Sequence, residues 1–366
     1  MITRRYYTMS AKLSLKTLFC HLPVLLLLFF SACKNDELEL VKENENISSG
    51  ADFIKNNYQL SLFSAAIEKA GLYEQLNAAG PFTFLAPSDA AFNAYGIFRA
   101  SDFDKMNPDS LKMLVQGHVL RQRVLLQDIP VNGIDVRYAT LAGTQVYASL
   151  ASNFGGDVSR PINTLYYNGA LVTRKDVQLT NGTLQLLNKV MKYSRGTVQD
   201  WLNSRAEYSI FVSGLKKFGL WDKLATKGPY TVFAPTNAAF TTAGITAEII
   251  EALKPEAYNG NRLFGGYILD ERHFFISDID ILYYFGNPTI YLKELENDIW
   301  CTQLTVNREN DKTLNYGLRL KKSRTGSSFT TSIARNKDMA TMDYLTDNGL
   351  VHSSPGVIAR LTDARK

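Results

Sequence analysis

An α+β fold built twice in tandem is what this sequence predicts, on three observations. The segment from Phe63 to Ile97, FSAAIEKAGLYEQLNAAGPFTFLAPSDAAFNAYGI, aligns without a gap onto Phe211 to Ile245, FVSGLKKFGLWDKLATKGPYTVFAPTNAAFTTAGI, a period of 148 residues. That is the length of a domain, far beyond the ~20–50 residues of a solenoid unit, so two copies of one fold are implied. Helical patterns come first in copy one and strand-like runs later, which argues for α+β over alternating α/β. The chain's 366 residues, 45% hydrophobic and 20% charged, suffice for two or three ordinary cores and exclude wholesale disorder, collagen and a coiled coil.

The first element is an export signal. Arg4, Arg5, Lys12 and Lys16 precede the apolar run from Leu18 to Phe30, and no acidic residue accompanies them. The run is too short for a bilayer core that needs ~20 residues, so it reads as a cleaved signal peptide, residues 1–32, and not as a permanent span. Phe30-Ser31-Ala32-Cys33 resembles the lipobox of bacterial lipoproteins, with Phe30 where Leu is usual. The resemblance implies that Cys33 carries the lipid (palmitate) anchor; the plain alternative is an incidental thiol behind an ordinary cleavage site. Residues 33–50 then form a flexible tether. Its acidic start, Lys34-Asn35-Asp36-Glu37-Leu38-Glu39, resembles the signal that sends some lipoproteins to the outer face of the outer membrane. The expected location is the outer membrane on its extracellular face, the alternative being the periplasmic face.

Copy one, residues 51–193, opens with a helix that places Leu62, Phe63, Ala66, Ile67 and Ala70 on one side and stops at Gly71, as Gly219 stops its counterpart. Gly80-Pro81 turns the chain into the strand Phe82 to Ala86, and Pro87 ends it. Ser88 is placed as a helix N-cap, with Asp89 in the first turn and Phe92 on the buried face. Strands follow at Gln145–Leu150, Thr164–Tyr167, Ala170–Val172 and Gly182–Leu187, with Asn168-Gly169 as a hairpin turn.

Copy two, residues 194–366, repeats the opening with Gly228-Pro229, the strand Tyr230–Ala234, Pro235, the cap Thr236, Asn237 and Phe240. Leu263 and Tyr267 match Leu114 and His118, Asp278-Ile279 match Asp128-Ile129, and Asn348-Gly349 match Asn181-Gly182. The last offset is 167, so copy two carries an insertion, around 283–340. Within it Arg319-Leu320-Lys321-Lys322-Ser323-Arg324 alternates like an edge strand protected by charge.

GPFTFLAPSDAAF and GPYTVFAPTNAAF resemble the first signature of fasciclin-like domains, and LYYNGALVTRKDVQLTNGTLQLLNKVM resembles the family's closing segment. His118 falls where the family has its central histidine; Tyr267 replaces it in copy two, whose closing motif DNGLVHSSPGVI is looser. The resemblance spans about Gly50 to Leu361. It implies two tandem domains, each a helical bundle packed on a wedge-shaped β-sandwich, serving adhesion or interaction and not catalysis. Pro87, Ser88, Asp89, Phe92, His118, Asn181, Gly182, Pro235, Thr236, Asn237, Phe240, Asn348 and Gly349 are the motif positions, read as structural.

No catalytic residue, metal site or cofactor is expected. His118, among Leu114, Val115, Val119 and Leu120, reads as a core histidine, and HExxH, paired cysteines and a GxSxG elbow do not occur. Asp278-Ile279-Asp280 and Glu309-Asn310-Asp311 lack the spacing of a calcium loop and read as turn and solvated-face residues. Cys301 reads as a buried small hydrophobe, and Tyr166, Tyr167, Tyr283, Tyr284 and Phe285 as core aromatics. Removing residues 1–32 takes the balance from +5 to 36 Lys+Arg against 35 Asp+Glu. Net charge therefore offers no case for nucleic acid. Expected partners are cell-surface or matrix proteins or polysaccharide; the alternative is an accessory glycan- or peptide-binding lipoprotein of an outer-membrane nutrient uptake complex.

Overall fold

Three short helices lead into copy one: α1 (Gly50–Lys55), α2 (Ser61–Lys69) and α3 (Tyr73–Asn77). The computed structural model describes residues 47–152, 163–284, 289–296, 300–310, 313–322, 329–336 and 341–366. The signal, Cys33 and the acidic start of the tether lie outside them. Helix α2 buries Leu62, Phe63, Ala66 and Ile67. It stops at Gly71, whose φ of +67° is the left-handed conformation that glycine adopts without a Cβ clash. Strand β1 (Phe82–Pro87) follows, then α4 (Asp89–Ala94), whose Ala91 N donates to Ser88 Oγ at 3.2 Å. Helix α5 (Pro108–Gly117) starts at the cap Asn107 and delivers His118 to the head of β2 (Val119–Leu120).

The remaining strands of copy one are β3 (Val136–Ala139), β4 (Gln145–Ala151), β5 (Thr164–Tyr167), β6 (Ala170–Leu179) and β7 (Gly182–Leu187). They form one sheet in the order β2-β1-β7-β6-β5-β4-β3. The closing strand β7 lies parallel to β1, with Phe82 opposite Gly182. The two family-like motifs, a hundred residues apart in the chain, are therefore neighbours in space. A Cβ at Gly182 would stand 2.1 Å from the Phe82 carbonyl oxygen, so this approach admits only glycine.

The chain leaves copy one as β8 (Lys192–Tyr193) and builds α6 (Val198–Asn203), α7 (Ser209–Lys217), β9 (Tyr230–Pro235), α8 (Asn237–Thr242), α9 (Ala247–Ala252), α10 (Gly260–Leu263), β10 (Ile268–Asp270) and α11 (Asp278–Tyr284). Where copy one has β3 to β6, copy two has β11 (Thr289–Leu295), β12 (Trp300–Asn310), β13 (Thr313–Lys322) and β14 (Phe329–Asn336), a meander of four strands. Copy two closes with β15 (Tyr344–Thr346) and β16 (Gly349–Ser354), the latter parallel to β9 as β7 is to β1. Its second sheet runs β10-β9-β16-β15-β8, so the last strand contributed by the link from copy one is built into copy two.

The edge-strand expectation for Arg319–Lys322 is corrected: β13 lies between β12 and β14. Leu318 and Leu320 are buried, and Lys321 is only 7% exposed. Alternation along a strand shows that one face is covered; it carries no information on how many neighbours hydrogen-bond to its edges. Ser323 and Arg324 lie outside the described residues, as do the side chains of Tyr283, Tyr284 and Phe285. Tyr167 is fully buried, Tyr166 half-buried, and Cys301 is 1% exposed.

Candidate interaction site at the junction of the two copies

The motif positions are held inside the fold. Asn181 accepts from Gly50 N at 2.8 Å and donates to the carbonyls of Leu76 and Ala78. Asn348 repeats the arrangement with Val198 N and the carbonyls of Leu224 and Thr226. Each asparagine pins the first helix of its copy to the turn before the first strand. Asp89 accepts from Leu62 N, and Asn237 from Ile210 N. Thr236 Oγ1 accepts from Ala239 N, as Ser88 does from Ala91 N. Phe92 and Phe240 are buried, stacked on Phe63 and Phe211.

His118 and Tyr267 solve one problem with different chemistry. His118 lies 2.8 Å from Leu114 O through Nδ1 and accepts from Met191 N at 3.0 Å through Nε2. The two partners fix a neutral tautomer, with the proton on Nδ1. Burial pushes its pKa down to about 4, against the pull of the Leu114 carbonyl. In copy two the Tyr267 hydroxyl accepts from Ile358 N at 2.7 Å. Ile358 stands 167 residues after Met191, so both side chains anchor the same point of the chain as it leaves its last strand.

A second exchange falls at Gln185 and His352, also 167 apart. Gln185 accepts from Asp176 N and donates to Val124 O; His352 accepts from Asp343 N at 3.0 Å and lies 2.8 Å from Phe274 O. Asp176 and Asp343 both sit at positive φ, 55° and 58°. Either side chain bridges a left-handed residue to the turn after the short second strand.

Copy one covers that turn in copy two. Tyr147, on β4, packs its ring 4.3 Å from that of His273 and 5.9 Å from that of Phe275. Asp135 Oδ1 lies 3.3 Å from His273 Nδ1. Ser149 Oγ donates to Asp278 Oδ1 at 2.7 Å, and Phe275 N to Asp278 Oδ2 at 3.0 Å. Lys189 Nζ reaches Asp343 Oδ2 at 2.5 Å, while Ile276 N donates to Asp343 Oδ1. Burial raises the Asp343 pKa, yet Lys189 and the neighbouring His352 outweigh it and hold the group below the usual carboxylate range. Beyond β8, Ser194 N donates to Leu345 O, Asp347 N to Gly196 O, and Gly196 N to Asp347 Oδ2. The join at Ser194-Arg195-Gly196 is thus bonded along its length.

Asp278 corrects the reading of Asp278-Ile279-Asp280 as solvated. It is 1% exposed, whereas its counterpart Asp128 is exposed and, among the described residues, accepts only from Leu125 N in the same turn. The difference is the sheet of copy one laid over Asp278. Burial, against the hydrogen bonds from Ser149 and Phe275, pushes its pKa up to about 7. The unfolded chain releases this proton near pH 3.8, so stability falls as pH rises from about 4 to about 7 and is level above. Asp278→Asn keeps the shape without a charge, its oxygen accepting from Phe275 N while its amide donates to Ser149 Oγ. It is expected to gain a few kcal/mol at pH 8, nothing at pH 4, and to flatten that slope in urea unfolding.

Sequence reasoning did not find Tyr147, Ser149, Lys189 or Asp343. The available signal was the shared offset of 167 that links Asp176 with Asp343 and Gln185 with His352, the same as Asn181 with Asn348. Among the described residues no group of three or more His, Cys, Asp or Glu is placed to hold a metal ion.

A pair of α+β domains whose repeated motif residues are held in hydrogen bonds within the fold is a scaffold that offers its surfaces and loops. The chain belongs to the fasciclin domain family, whose model matches residues 58–193 and 206–353. It is 26% identical over 195 residues to human periostin, covering 53% of this chain and 21% of periostin. It is 27% identical over 179 residues to the pig transforming growth factor-beta-induced protein ig-h3 (48% and 24% covered) and 25% over 205 residues to human stabilin-1 (54% and 7%). The alignments thus span about a quarter or less of these relatives. Among solved structures it is similar to the FAS1 domain pair of the insect cell adhesion molecule Fasciclin I, at 16% identity, 83% and 97% coverage and a TM-score of 0.33.

Proposed function

We propose that this chain is an outer-membrane lipoprotein, acylated at Cys33 and exposed on the cell surface, whose fasciclin pair is a non-catalytic adhesion or interaction module. Its partners are surface or matrix proteins or polysaccharide. The observation that carries the reading is the tandem fasciclin pair itself, joined to a leader in which small residues precede Cys33 and an acidic tether follows it. The geometry agrees, because His118 and the paired asparagines are held by structural bonds, leaving recognition to the surface.

Fractionation and external protease test it. The wild-type chain is expected in the outer membrane and cleaved on intact cells, and Cys33→Ser is expected to leave the membrane fraction. Unchanged fractionation of the variant would refute the anchor, and protection from protease would refute surface exposure. Cells displaying the chain are expected to adhere to immobilised matrix protein or polysaccharide more than cells lacking it.

A further inference from the structure

The two copies treat one groove differently. In copy two the chain leaving Ile358 turns back along α10 and fills the space beside it. Asn259 N donates to Ala364 O at 2.7 Å, Lys366 N donates to Ala257 O at 3.2 Å, and Arg365 bridges to Tyr258. Arg262 reaches the carbonyls of Asp363 and Arg365. Ala364 is fully buried. In copy one the chain leaving Met191, the counterpart of Ile358, runs on as β8 instead. The space beside α5 is left as an open groove of about 540 Å³, between Met106, Asn107, Ser110 and Met113 on one side and Tyr193 and Arg195 on the other.

Its walls carry uncommitted groups. Asn107 N makes no hydrogen bond among the described residues. Asn168, only 6% exposed, uses Oδ1 for Tyr147 N, while its amide nitrogen, bordering the groove, has no partner among them. Two methionines supply an adaptable apolar wall, and Tyr95, 39% exposed, stands at the rim. A backbone donor, an amide and thioether walls suit an extended peptide, the occupant that copy two provides for itself.

We propose that this groove binds an extended peptide segment of a protein partner, with a small apolar residue seated as Ala364 is and a basic residue after it. The proposal deepens the adhesion reading and rests on it. The probe is a labelled synthetic peptide of residues 358–366, IARLTDARK, titrated into the full chain and followed by fluorescence anisotropy. Saturable binding is expected, weakened about tenfold or more by Met113→Arg and by Ser110→Trp, with near-UV circular dichroism showing both variants folded. Failure to saturate at millimolar chain overturns the proposal. So does binding that both variants leave intact, which would mean displacement of Leu361–Lys366 in copy two. Neutral oligosaccharides that bind in a Met113-sensitive way where the peptide does not would equally overturn it. Any of these results leaves cell adhesion to be judged by its own assay, so the two readings fail separately.

Discussion

Lys189→Met is expected to lower the stability of copy two by about 3 kcal/mol, through a contact made from copy one. Asp343 is 2% exposed, and its Oδ2 faces the Lys189 ammonium at 2.5 Å. Removing the cation leaves a buried carboxylate with one backbone donor, Ile276 N. Breaking one side of a buried pair costs about 3–5 kcal/mol, and the partial exposure of Lys189, 21%, places this case at the low end. The double variant Lys189→Met with Asp343→Asn is expected to recover most of the loss. Asparagine tolerates the φ of 58° at this position and keeps an oxygen for Ile276 N. Urea unfolding of wild type, both single variants and the double variant completes the cycle. Simple additivity would mean that the two groups do not interact.

Replacing His118 with Leu is expected to cost about 3 kcal/mol at pH 7, because Met191 N and Leu114 O both lose their partner in the core. Tyr267→Phe removes the hydroxyl that accepts from Ile358 N, leaves the rest of the core in place and is expected to cost less, about 1–2 kcal/mol. The pH dependence separates them further. His118 is neutral in the fold with its pKa near 4, while in the unfolded chain it takes up a proton near 6.5. Its share of stability is complete above about pH 6.5 and is lost as pH falls toward 4. That acid loss is expected to shrink in His118→Leu and to persist in Tyr267→Phe. His352, whose pKa burial also lowers despite the neighbouring Asp343, contributes an acid loss of the same sign. Copy one supplies the replacement: His352→Gln reproduces the bridge that Gln185 makes, and is expected to hold stability at pH 7 while removing that share. Unchanged acid unfolding in both His118→Leu and His352→Gln would refute the assignment.

What sequence reading recovered was local, and what it missed was made by residues far apart. Ser88 and Thr236 cap helices through bonds three residues long, and Gly71 and Gly219 stop them within one turn, so each was legible where it stood. The family resemblance supplied the architecture because β1 and β7 carry both signatures. By contrast, Asp278 is buried by Ser149, 129 residues earlier in the chain, and nothing around Asp278 announces that lid. The alternation at Arg319–Lys322 was real, yet the neighbours on both edges come from separate strands. Tyr267 aligned with His118, but their shared task became visible only with Met191 and Ile358 in place.

Strand β8 gives the pair a mechanical character. A chain tethered before copy one and gripping at copy two would carry tension through Lys192–Tyr193, which runs parallel to β15 with Tyr344 opposite Lys192 and Leu345 opposite Tyr193. A pull along a strand laid beside its partner shears the hydrogen bonds together, whereas a pull across it would unzip them singly. Lys189 on Asp343 and Ser149 on Asp278 brace the same seam from the side. Under load, the link between the copies would therefore behave as a clamp rather than a swivel.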